Sequence, residues 1–191
     1  NNPQYQKFYK YFQTQFTKIT KLDDVIPLSR ARFGIYLYTK QIINSERNEV
    51  ILSPFTIFDV VNMIICAGGK PIFVDIESKT SLNINPQKIK QLISNKTSCI
   101  FLTHYHFSNP HIKEIRQICN MNNIKLIEDC AISIGSEYES KHVGYFSDAA
   151  IFSFSLFKYI SVFQGGALYV KDSKERKAVS YTHLRAHETR S

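Results

Sequence analysis

A chain of 191 residues, 43% hydrophobic and 21% charged, is long enough for one domain with a sizeable core, and its apolar runs stop short of the roughly 18 residues that suggest a membrane span. The net charge of +8 raises nucleic acid as a partner, but the lysines and arginines are scattered and never form a block, so nucleic-acid binding is not expected. Cys66, Cys99, Cys119 and Cys130 show no C-x-x-C pairing and are expected to be reduced core residues; with no signal pattern at the N-terminus, a cytoplasmic location is the default.

Tyr5, Phe8, Tyr9, Phe12 and Phe16 fall on one helical face and predict an amphipathic N-terminal helix, followed by a second helical pattern over residues 31–43. The rhythm then becomes strand, helix, strand. EVILS (residues 49–53) reads as a short buried strand. Thr56 is expected to cap a helix carrying Ile57, Val60, Val61, Ile64 and Ile65, which stops at Gly68 and Gly69. PIFVDI (residues 71–76) is the next strand. After a polar loop, Asn85 and Pro86 open a helix through Leu92, and SCIFLTH (residues 98–104) is a third strand. Asn109 and Pro110 start a helix running to about Met121, with proline where its missing N–H costs little. KLIED (residues 125–129), DAAIFSF (148–154) and GALYV (166–170) complete the strands. Short apolar strands alternating with helices predict one α/β domain, its mostly parallel sheet covered by helices on both faces.

Both ends of the chain are expected to be incomplete. It begins at Asn1 without an initiator methionine. Residues 180–191, SYTHLRAHETRS, lack apolar periodicity and are expected to be a non-native tail, leaving residues 1–179 as the domain. The i, i+4 pair His183 and His187 in that tail is given no metal-binding role.

Ligands of open α/β sheets sit beyond the carboxyl ends of the strands. Asp75, His104, Glu128, Asp129 and Ser153 fall at or near such ends, and Lys158 follows one by a few residues. Lys158 is the only charged residue between Asp148 and Lys171, inside IFSFSLFKYI (residues 151–160), a run otherwise fit for burial. A carboxylate and a lysine converging there suggest a carbonyl-type cofactor, with the lysine condensing as a Schiff base and the carboxylate pairing with a ring nitrogen. Taken singly, Asp129 reads as a cap, Ser153 as a small polar strand residue and Lys158 as a snorkelling side chain. His104, His106 and His111 are more simply polar loop residues than metal ligands, and no metal is predicted. Neither G-x-x-x-x-G-K-[ST] nor G-x-G-x-x-G is present, and Gly165 and Gly166 fit a turn into a strand.

Four segments, EVILSPFT, CAGGKPIFVDI, LIEDCAISIGSEY and GYFSDAAIFSFSLFKYISVFQGGALYV, together resemble the DegT-type sugar aminotransferases over residues 33–171. That resemblance implies the large domain of the aspartate-aminotransferase fold, truncated, with pyridoxal 5′-phosphate as cofactor. It matches Asp129 to the family's strand-end aspartate, Lys158 to its Schiff-base lysine, and Ser153 to a serine that helps bind the cofactor phosphate. It further implies transfer of an amino group, from glutamate, to a nucleotide-linked keto sugar in surface-polysaccharide or amino-sugar biosynthesis. The implied partners are these small molecules and, in the full-length form, a second copy of the chain. Family members are about twice as long, so this stretch alone is expected to have little or no activity.

The match has departures. Ile132 stands at a glutamine that meets the cofactor ring, Ile134 at a common histidine, and Ile57 at a stacking aromatic, with Phe58 adjacent. Leu156 and Phe157 replace a proline and a threonine before the lysine. The family's glycine–threonine turn falls near Ala31 and Arg32, leaving Arg30 or Arg32 to serve the phosphate. A degenerate homologue that binds cofactor or a partner without turnover is therefore the alternative. A related dehydratase, in which histidine replaces the lysine, is opposed by Lys158.

Overall fold

The computed structural model describes residues 3–105 and 111–188. Along the chain run α1 (Pro3–Thr20), β1 (Ile26–Leu28), α2 (Ala31–Ile42), β2 (Glu49–Leu52), α3 (Phe58–Cys66), β3 (Lys70–Phe73), β4 (Ile76–Ser78), β5 (Ser81–Ile84) and α4 (Pro86–Leu92). Then come β6 (Thr97–Thr103), α5 (Ile112–Asn122), β7 (Lys125–Asp129), β8 (Glu137–Tyr138), β9 (Lys141–His142), β10 (Ala149–Ser153), β11 (Gly166–Val170) and α6 (Ser173–Glu188). Seven strands form one sheet in the order β1-β11-β10-β7-β6-β2-β3. From β3 to β10 every pairing is parallel, while β11 runs antiparallel to both β10 and β1. The mostly parallel sheet expected from the sequence is present, with an antiparallel margin.

Alternation along the strands sorts the core into layers. Val50 and Leu52 of β2, Phe101 of β6, Ile127 of β7 and Ile151 of β10 face α2 and α3, meeting Ile35, Tyr38, Val60 and Ile64. Their neighbours Ile51, Ile100 and Leu126 face the other way, onto Ile89 of α4 and Ile112, Ile115 and Ile118 of α5. Ala150 and Phe152 meet α1 on that second side through Phe16, whose ring stands edge-on to Phe152 at 5.0 Å. Strands covered on both faces are buried along most of their length, which is why β2 and β10 read as near-continuous apolar runs, while β7 is apolar at Leu126 and Ile127 and carries the buried Glu128 and Asp129 at its end.

Several local expectations change. Of the aromatic face predicted for α1 only Phe16 is buried, Phe12 packs at the core margin, and Tyr5 and Phe8 are exposed. Thr56 does not cap α3; the helix opens at Phe58 with Ile57 in the capping position and no side-chain cap bond. Asn85 does cap α4, accepting the N–H groups of Gln87 and Lys88 at 2.9 and 3.4 Å. The polar loop before it holds the β4–β5 hairpin. Asn109 and Pro110 lie outside the described residues, within which α5 starts at Ile112. Cys66 is exposed rather than core, whereas Cys99, Cys119 and Cys130 are buried free thiols. Among the described residues no helix is long and apolar enough to cross a membrane.

Candidate active site

The carboxyl ends of β2, β6, β7 and β10 lie side by side, and the site is built there. Asp129 is the last residue of β7, paired with Thr103 of β6 and Ile151 of β10. A strand turns successive side chains to opposite faces. Ile127 and Asp129 therefore share the α2–α3 side, as do Ile151 and Ser153 one strand over. Glu128, between them, points into the opposite layer. Two adjacent carboxylates are thus separated by the pleat.

Lys158 lies in the long connection that carries β10 back to β11. The turn is closed by Lys158 N–H to Ser155 O at 3.1 Å and Val162 N–H to Phe154 O at 2.9 Å. The apolar run expected to be buried divides here. Residues 151–154 are core, but Leu156, Phe157, Tyr159, Val162 and Phe163 are exposed, Phe157 by 92%. Beyond Ser153 the chain leaves the parallel sheet to reverse direction, and among the described residues no strand or helix covers its exposed side chains. Lys158 itself is half-buried and turned inward, so the unusual Leu156 and Phe157 before it do not keep it from the cavity.

Two cavities meet at Asp129 and Lys158. The first, about 200 Å³, is lined by Arg30 and Arg32 of the α2 entrance, Ser153, Ser155 and Gly165. The second, about 360 Å³, is lined by Phe55, Leu82, Tyr105 and Ile132, and Ile57 and Ala131 belong to both. All three residues matched by the resemblance, Asp129, Ser153 and Lys158, line the first. Ser153 Oγ and Ser155 Oγ are 3.2 Å apart. The Asp129 carboxylate accepts the Ala131 N–H at 3.0 Å, its one side-chain hydrogen bond among the described residues and well below a carboxylate's capacity. Burial pushes the Asp129 carboxyl above its ordinary value; the Ala131 N–H and the Lys158 charge pull the other way. A buried, under-bonded carboxylate facing an amine across a cavity suits a cationic aromatic ring with a reactive carbonyl, and the serine pair suits an anionic oxygen group. The residues present fit pyridoxal phosphate.

The other strand-end candidates do not join them. Asp75 is exposed and paired with Lys88 at 2.6 Å. His111 pairs with Glu77 at 2.6 Å on the surface, and His106 lies outside the described residues. His104 and Glu128 form a buried pair, Nε2 to Oε2 at 2.7 Å, and the same oxygen accepts the Gly144 N–H at 2.8 Å. Gly144 has φ +94, and a Cβ there would stand 2.8 Å from that of Ala150, so the contact requires glycine. Cys130 lies close enough for the three to suggest a metal site. A 2.7 Å separation is a hydrogen bond, however, shorter than the roughly 3.3 Å between two ligands at zinc bond lengths, and burial holds the Cys130 thiol protonated. This cluster is a brace behind β7. Glu128→Ala strands His104 and the Gly144 N–H and should cost about 3–5 kcal/mol in urea unfolding, although Glu128 touches neither cavity.

The sequence assigned no site role to Ser155, Tyr105 or Phe55, which line the cavities. Only Ser155 had a local signal, its i+2 spacing from Ser153. Ile132, at the glutamine position, half-lines the second cavity, whereas Ile134 packs into the core beside α1 and away from both.

The chain matches the model of the DegT/DnrJ/EryC1/StrS aminotransferase family over residues 4–190. GDP-perosamine synthase of Vibrio cholerae is 31% identical over 160 residues, which are 84% of this chain and 43% of that protein. The solved structure of Helicobacter pylori PseC, an aminotransferase involved in pseudoaminic acid biosynthesis, superposes with a TM-score of 0.82 at 25% identity, covering 90% of this chain and 46% of its own. That of NtdA from Bacillus subtilis, with bound cofactor PMP, gives 0.80 at 26% identity, covering 94% and 39%. The chain spans less than half the length of each of these relatives.

Proposed function

The chain belongs to the DegT/DnrJ/EryC1/StrS aminotransferase family, and on that premise we propose that it forms the cofactor-binding part of an enzyme that moves an amino group from glutamate to a nucleotide-linked keto sugar. The observation that carries this reading is the cavity where the buried carboxylate of Asp129 and the amine of Lys158 meet, with the Ser153 hydroxyl on the same wall. Pyridoxal phosphate, when bound, supplies the electron sink for the carbanion at the donor's α-carbon. Asp129 would hold a protonated ring nitrogen, because an opposite charge close by favours the cation. Lys158 Nζ would carry the proton removed from the donor carbon, from a loop position that lines both cavities. Ser153 would donate its hydroxyl to the phosphate. The second, more apolar cavity would take the sugar, with its oxygens turned outward. Amino-sugar synthesis for surface polysaccharide is the setting that the perosamine synthase relative supports.

A homodimer is part of the proposal. Phe157, Val162 and Phe163 are more than half exposed next to the cavity, and a second copy would cover them. Ile132 supports the rival reading of a homologue that binds cofactor without turnover.

Borohydride reduction tests the reading. The protein expressed from its complete reading frame, incubated with pyridoxal phosphate and reduced, is expected to carry the cofactor mass on the peptide containing Lys158. A colourless, unlabelled protein contradicts it. Label without conversion of any keto sugar nucleotide favours the rival.

A further inference from the structure

This inference rests on the pyridoxal-phosphate reading and concerns the two arginines that the sequence left undivided. Arg30 and Arg32 both line the smaller cavity beside Ser153, Ser155 and Lys158. Arg32 is already committed: its Nη1 and Nη2 bond Asp59 Oδ1 and Oδ2 of α3 at 3.0 and 2.9 Å, a fork-to-fork pair that neutralises its charge. The Arg30 guanidinium has no ion pair or hydrogen bond among the described residues. Its backbone, by contrast, is fixed. Arg30 bridges Gly165 at the entrance to β11, and its carbonyl accepts the Phe33 N–H at 3.1 Å. Gly166 then lets β11 close on α2, for a Cβ there would stand 2.5 Å from Ala31 N. Arg30, exposed and unpaired on backbone fixed by these contacts, thus stands at the wall of the small cavity that Ser153 and Ser155 also line.

We propose that Arg30, not Arg32, is the cation that pairs with the cofactor's phosphate monoester and makes this site prefer the phosphorylated aldehyde. Arg32 instead ties the entrance of α2 to α3 through Asp59. A guanidinium presents planar, paired donors to phosphate oxygens and stays charged at any working pH. Ser153 and Ser155 complete the cradle from the β10 side.

The test titrates the apo protein, expressed from its complete reading frame, with pyridoxal phosphate and separately with pyridoxal. The readouts are absorbance of the covalent lysine adduct and the borohydride-fixed mass on Lys158. The parent is expected to favour the phosphate form. Arg30→Ala should weaken pyridoxal phosphate binding about 10- to 100-fold, the range for a hydrogen bond to a charged group, and leave pyridoxal binding unchanged. Arg30→Lys should recover part of the loss, since it restores charge without the fork. Equal weakening of both aldehydes, or no weakening of the phosphate form, overturns the assignment. Uptake of both aldehydes by the parent with no preference overturns the Arg30 assignment alone. Uptake of neither overturns the pyridoxal-phosphate reading beneath it.

Discussion

Lys158→Ala is expected to abolish amino transfer, lowering turnover by at least about 10³-fold, because positioned proton transfer alone contributes about 10²–10⁴ and the lysine's covalent role adds to it. The same variant should take up no borohydride-fixed label. Lys158→Arg should not rescue either readout, since a guanidinium keeps its proton and makes a poor nucleophile. Folding should be unaffected. Lys158 lies on a loop, half-buried, and makes no side-chain hydrogen bond or ion pair among the described residues. Its removal should shift apo stability by no more than about 0.5 kcal/mol. Retained turnover in a well-folded Lys158→Ala protein would remove this residue from the mechanism.

Asp129→Asn should separate stability from function. Burial raises the carboxyl's proton affinity, so in the apo fold the ionised form is the disfavoured one. The folded state then binds the proton more tightly than the unfolded chain. Its contribution to stability is full below the ordinary aspartate value of about 3.9 and is lost as pH rises through the raised value. Asparagine keeps the shape and removes the titration. The apo variant should therefore melt higher than the parent at pH 7, with the gap closing as pH falls below about 4. With cofactor present the order should reverse, because the amide offers no charge to a protonated ring nitrogen. Turnover should fall on the order of 10²–10³-fold, as when one aimed electrostatic contact is lost. Thermal melts from pH 3.5 to 8, with and without pyridoxal phosphate, check both halves. An apo variant less stable than the parent at pH 7 would show that the carboxylate is structural.

Much of this site was legible in the residues because its parts sit at the ends of strongly patterned elements. The short segments at residues 49–52, 125–129 and 149–153 read as strands, and the ordered segments around them carried the family resemblance that singled out Asp129, Ser153 and Lys158. The cap made by Asn85 ahead of Pro86 was legible for a related reason: a cap is a contact between residues two or three apart, and its chemistry is written in that interval.

What local sequence could not carry are relations between distant segments. The three residues of β1 become a strand because β11 runs beside them, 138 positions or more further on. The run after Ser153 has a core composition but lies exposed, because burial depends on what packs against a segment. Arg30 and Arg32 are equivalent by composition and position; a carboxylate on another helix, Asp59, makes one a tie and leaves the other unpaired. Composition and periodicity thus established the α/β class, and the family resemblance proposed the chemistry of the cavity. Folding decided the faces, partners and exposures within it, because those properties belong to pairs of residues far apart in the chain.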